Sequence, residues 1–82
     1  MNTERAILKG HLADFKMRKM ELETSISANI RSVQHFLAGA NVRPIADIDV
    51  DAALVNLKEA ARQKIELADV LGKILTIQQE LE

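Results

Sequence analysis

The sequence predicts an all-α protein, an antiparallel helical hairpin of two long helices that dimerises into a four-helix bundle. The 82 residues are 48% hydrophobic and 28% charged, a balance typical of a folded chain rather than a disordered one. Apolar residues recur at heptad spacing in two long segments, and Pro44, the only proline, lies between them. We expect one helical domain over residues 1–82, with a helix at about 4–38, a loop at about 39–49 and a helix at about 50–81.

The first helix is predicted from a single apolar stripe. Thr3 is its expected N-cap, and Gly39 with Pro44 shortly after it is a stop signal. Residues 23–29 contain few strong helix formers, but the apolar register passes through them unshifted, so we expect one continuous helix. The two heptad series of the stripe are Leu8, Phe15, Leu22, Asn29 and Phe36, and Leu12, Lys19, Ile26, Val33 and Ala40.

The second helix has a wider apolar face. Asp49 is its predicted N-cap, and Ile48 precedes it as a hydrophobic staple. Past residue 66, Val70 and Ile77 widen the face further. Its three heptad series are Leu54, Ala61, Ala68 and Leu75; Leu57 and Leu71, interrupted by Lys64 and Gln78; and Ala53, Ala60, Leu67, Ile74 and Leu81.

This width predicts self-association. Two helices in contact leave much of a three-series face in water, whereas burying one Leu or Ile stabilises by about 1.5–3 kcal/mol. Ordering each residue costs a similar amount, so a lone hairpin is expected to be marginal. We predict a homodimer that uses the third series of the second helix. Lys19 and Asn29 either fix the register as polar core residues or lie at the edge of the stripe with their polar groups in water.

Charge is divided along the chain. Residues 1–44 carry seven basic and four acidic side chains, and residues 45–82 carry four basic and eight acidic ones. Opposite net charges on the two halves favour their pairing, either within one chain or between two. In the antiparallel hairpin we expect Lys19 near Glu66 or Asp69, either of which could satisfy its charge.

One basic cluster is a candidate contact for nucleic acid or for a protein partner. It consists of Lys9, Lys16, Arg18 and Lys19, which could bind phosphates electrostatically. The formal net charge of the chain is -1, and it contains no Trp or Tyr on which a base could stack. These features favour a solvated face that pairs with the acidic second half.

No metal, cofactor or catalytic site is predicted. Asp47, Asp49 and Asp51 resemble the start of a calcium-binding loop, but the Gly and Glu that such a loop requires are replaced by Ala52 and Lys58. His11 and His35 lie 24 residues apart, about 36 Å on one helix, so they cannot share a metal within one chain. The chain has no Cys and no Gly-rich phosphate loop, and we expect no enzymatic activity.

Part of the second half resembles small helical accessory proteins of Mu-like phages and prophages. The resemblance rests on Ile48–Leu54, Ala61–Arg62 and Ile74–Leu81, and it implies no particular functional residue. We therefore expect a cytoplasmic interaction or adaptor protein, without membrane contact, that acts through homo-oligomerisation and a helix face. The alternative is a small nucleic-acid-binding regulator that uses the basic cluster.

Overall fold

Two long helices pack against each other in an antiparallel hairpin. The computed structural model describes residues 2–82, in which helix α1 is Asn2–Leu37 and helix α2 is Val50–Leu81. A short 3₁₀ turn, Ile45–Asp47, lies in the connection. No strand occurs in residues 2–82. The prediction of an all-α hairpin of two long helices is confirmed.

Helix α1 is continuous through residues 23–29, as its unshifted register predicts. The predicted cap at Thr3 is wrong, because the helix already includes Asn2. The stop at Gly39 is confirmed: this glycine has a φ of 79°, in the left-handed region that a side chain disfavours. Its carbonyl oxygen accepts hydrogen bonds from the backbone N–H groups of Val42 and Arg43 at 2.9 and 2.8 Å, which turn the chain toward α2.

Helix α2 begins at its predicted cap. The Asp49 side chain accepts a hydrogen bond from the backbone N–H of Ala52 at 2.9 Å. Ile48, just before the cap, and Ala53 in the first turn are both buried. This arrangement is that of a hydrophobic staple, which fixes the angle at which the chain enters the helix.

The hydrophobic core lies between the helices toward the end of the hairpin that holds the chain termini. Leu22, 2% exposed, packs with Val70 and Ile74, and Leu12 and Phe15 contribute from α1. The α2 residues that face α1 form a continuous heptad stripe, which we call the inner seam. The inner seam consists of Ala53, Asn56, Ala60, Gln63, Leu67, Val70, Ile74, Ile77 and Leu81, all buried or half-buried.

The inner seam corrects one prediction. The third heptad series of α2, from Ala53 to Leu81, is predicted to form the dimer contact, but it packs against α1 within the chain. The positions of Asn56, Gln63, Val70 and Ile77 lie beside this series and also face α1. The other two predicted series of α2 are therefore left on the outside of the hairpin.

A polar cluster interrupts the core at mid-length. The Asn29 Nδ2 group donates to Gln63 Oε1 at 2.9 Å, and Gln63 Nε2 donates to Ser25 Oγ at 2.6 Å. Gln63 is only 8% exposed, so its amide needs both partners. No buried side-chain N or O atom among the described residues lacks a hydrogen-bond partner. The cluster fixes the register of the two helices, because a shift would separate these groups.

Candidate interaction surface

The hairpin has two long flanks of different character. Glu66 and Leu75 are nine residues apart on α2, which is two and a half helical turns, so they lie on opposite flanks. On α1, Arg18 and Met20 are also separated by more than half a turn. We call the side of Arg18 and Glu66 the polar flank and the side of Met20 and Leu75 the apolar flank.

The polar flank is lined by ion pairs. Arg18 joins the two helices: its Nε and Nη2 atoms each lie 2.7 Å from Glu66 Oε2, and its Nη1 lies 3.2 Å from Glu21 Oε2. Along α2, Arg62 pairs with Glu59, and Lys73 Nζ lies 3.0 Å from Asp69 Oδ2. Polar groups on this flank therefore have partners within the chain.

The protonation equilibria of this flank follow from its pairing. The hydrogen bond from Arg18 to Glu66 raises the pKa of Arg18, and Glu21 adds to the effect. The hydrogen bonds from Arg62 lower the pKa of the Glu59 carboxyl below its usual value. Both shifts favour the charged forms, as expected for salt-bridged groups in solvent.

The apolar flank carries a second heptad stripe on α2, which we call the outer seam. Every residue of the outer seam is exposed, and its four leucines are between 43% and 57% exposed. Its members recur at alternating spacings of three and four residues, the pattern of a helix-packing seam. The outer seam consists of Leu54, Leu57, Ala61, Lys64, Ala68, Leu71 and Leu75.

Helix α1 extends the apolar flank without covering the outer seam. Met20, 67% exposed, lines a shallow groove together with Leu71 and Leu75. Lys16 and Lys19 lie along the same groove. The flank is thus an apolar stripe on α2 bordered by lysines on α1.

The four predicted basic residues do not form one patch. Lys16 and Lys19 line the groove of the apolar flank, and Lys9 lies one heptad before Lys16 on the same face of α1. Arg18 instead lies on the polar flank, paired with Glu66. The expectation that Glu66 or Asp69 would satisfy Lys19 is wrong, because Arg18 and Lys73 pair with these acids.

The residues considered as metal ligands do not form a metal site in the part of the chain that the structure describes. Asp49 caps α2, as its place before the helix predicts. Among residues 2–82, no group of three or more His, Asp or Glu side chains is arranged to hold a metal ion. Neither α1 nor α2 contains an apolar stretch long enough to cross a lipid bilayer.

Comparisons of the chain with models of protein families, with curated proteins and with solved structures found no match.

Two features of the helix packing were not predicted from the sequence. Gln63 was not recognised as the partner of Asn29, although the antiparallel register places these positions opposite each other. The seven-residue series of α2 were recognised, but which of them would face α1 was assigned wrongly. The signal that could have decided it is the polar content of each stripe: the amide of Gln63 can pair with Ser25 and Asn29 on α1, whereas the charged Lys64 favours solvent.

Proposed function

We propose that this protein is a non-enzymatic interaction protein that acts as a homodimer through its apolar flank. The observation that carries the proposal is the outer seam, a complete heptad stripe on α2 with four leucines that α1 leaves in solvent. Such a stripe favours packing against another helix, because burying a fully exposed leucine stabilises by about 1.5–3 kcal/mol and these four leucines still expose about half of their surface.

The total surface area supports the same proposal. The chain exposes 6208 Å², whereas a compact protein of 9.1 kDa exposes about 4,900 Å². The excess of about 1,300 Å² is more than the roughly 800 Å² that each partner buries in a standard stable interface. The extents of 65 × 16 × 14 Å explain the excess, since two helices side by side have little interior. Packing a second hairpin on the apolar flank would reduce the exposed area of each chain to about that of a compact protein of this mass.

The proposed role is that of a small adaptor. In a dimer joined through the apolar flanks, both polar flanks stay outside and can contact another protein. The resemblance of the second half to accessory proteins of Mu-like phages suggests a phage or prophage setting for this role.

The nucleic-acid alternative has weaker support. It needs Lys9, Lys16, Arg18 and Lys19 on one surface, but Arg18 is engaged with Glu66 on the opposite flank. We expect no retention of DNA or RNA at low salt. A salt-dependent gel shift that is lost in Lys16→Glu with Lys19→Glu would instead favour this alternative.

The test of the proposal is the solution mass, measured by light scattering after gel filtration over a concentration series. The wild type should have twice the 9.1 kDa mass of one chain. Leu57→Glu with Leu71→Glu places two charges in the outer seam and should weaken association by about 100-fold or more, giving the mass of one chain.

The matched control is Val55→Glu. Val55 is 68% exposed and also on α2, but outside the outer seam, so this variant should keep the wild-type mass. A wild type that is helical and monomeric at every concentration would refute the proposal. Equal effects of the seam and control substitutions would refute the assignment to the apolar flank.

A further inference from the structure

We infer that the partner on the outer seam is the outer seam of a second copy, running antiparallel to the first. This inference rests on the proposed self-association and specifies its geometry. The outer seam has the same order of residue types from either end: two leucines, an alanine, a lysine, an alanine and two leucines. A two-fold axis across the middle of α2 therefore brings like surfaces together.

The antiparallel register matches large residues with large ones and small with small. With the axis near Lys64, Leu54 and Leu57 of one copy lie beside the Leu71–Leu75 segment of the other. Ala61 and Ala68 lie near the axis, where their small side chains allow the helices to approach closely. The contact can run from Leu54 to Leu75, about 32 Å of helix, and so can draw on the excess surface of both chains.

The charge at the centre of the seam lies close to the two-fold axis in this register. Lys64 of each copy is beside Lys64 of the other, as it also is in a parallel pair, so this charge does not select the direction. Its long stem can extend to solvent. A single polar seam residue of this kind lowers stability but restricts the number of acceptable registers.

Ile65 supplies an independent argument. It is 75% exposed, more than any other large apolar side chain of α2, and it borders the outer seam next to Lys64. In a parallel pair, Ile65 faces inner-seam positions of the second copy. Those positions are already covered by α1 of that copy. In an antiparallel pair the two Ile65 side chains face each other across the two-fold axis, so Ile65 packs on Ile65 of the second copy.

The test is a set of distances between spin labels in the two copies of the dimer. The chain has no Cys, so single-cysteine variants label one site per copy. Val55→Cys, Arg62→Cys and Thr76→Cys fall at one heptad position outside both seams, so their sideways offset is the same. In each variant, pulsed electron double resonance measures the distance between the two labels.

The antiparallel dimer predicts three different distances. Along the helix axis the labels should be about 6 Å apart at residue 62, about 27 Å at residue 55 and about 36 Å at residue 76. A parallel dimer, or one that packs α2 on α1 of a parallel second hairpin, gives equal distances at the three sites. Adding Leu71→Glu should abolish all three distances, because they are intermolecular.

The outcomes separate this inference from the proposed function. A mass of two chains with equal distances overturns the antiparallel geometry but leaves the proposed dimer intact. A mass of one chain with no measurable distance overturns both. A mass of two chains with the shortest distance at residue 62 supports both.

Discussion

The two seams of α2 have the same heptad spacing but different surroundings. The inner seam, which contains Val70 and Ile74, is covered by α1, whereas the outer seam, which contains Leu57 and Leu71, is exposed. Helix α1 has only one apolar stripe, and beside it lie residues such as Lys16 and Glu23. The width of the partner helix, rather than the pattern on α2, therefore decides which seam is buried within the chain.

The polar residues of the seams show the same contrast. Gln63 in the inner seam has hydrogen-bond partners on α1, as a buried amide requires. Lys64 in the outer seam is exposed to solvent. Substitutions in the inner seam should alter the stability of each hairpin, and substitutions in the outer seam should alter mainly the association of two hairpins.

The largest expected effect is in the core beneath the inner seam. Leu22→Ala should lower the free energy of unfolding by about 2–5 kcal/mol, because it leaves a cavity at the most buried side chain. Urea unfolding followed by circular dichroism measures the change. Leu37→Ala is the matched control, since Leu37 is 41% exposed on the same helix and should cost much less. Equal losses would mean that the core is not where the structure has it.

The second effect concerns the polar cluster. Gln63→Ala removes the partner of both Asn29 and Ser25 and should destabilise the hairpin by about 1–3 kcal/mol. Combining it with Asn29→Ala should cost less than the sum of the two single changes, as expected for groups in direct contact. Gln34→Ala, at an exposed position of α1, is the control. Additive losses would argue that the two amides do not interact.

A smaller effect is expected at the centre of the outer seam. Lys64→Leu removes the one charge of the stripe and should tighten association by about 10-fold, with a smaller change in a hairpin held monomeric by Leu57→Glu and Leu71→Glu. Sedimentation equilibrium measures the association constant. Unchanged or weaker association would show that Lys64 lies outside the contact.

The smallest effect is expected on the polar flank. Arg18→Gln removes the pairs with Glu66 and Glu21, but these groups are exposed and strongly hydrated, so the free energy of unfolding should barely change.

The pH dependence of stability should be equally small. The lowered pKa of Glu59 means that its pairing with Arg62 stabilises the fold above the ordinary glutamate pKa, and this stabilisation is lost as the pH falls through the lowered value. A large loss of stability, either in Arg18→Gln or on lowering the pH, would mean that the polar flank is buried in the dimer.

The sequence was sufficient for the two helices, the Gly39 turn and the Asp49 cap, because these depend on local backbone chemistry and on heptad spacing. It was insufficient to decide which of the three α2 series packs against α1, because all three have the same heptad spacing. The partner of Arg18 was also missed: Lys19 was expected near Glu66, but a difference of one residue turns a side chain by about 100° around a helix.

The most direct test of the central claim is the dependence of thermal unfolding on protein concentration, followed by circular dichroism over a 100-fold range. Association of folded hairpins through the outer seam predicts that the midpoint rises with concentration for the wild type and Val55→Glu. It should not rise for the variant with Leu57→Glu and Leu71→Glu. A wild-type midpoint that is the same at every concentration, with full helical signal, would contradict the claim.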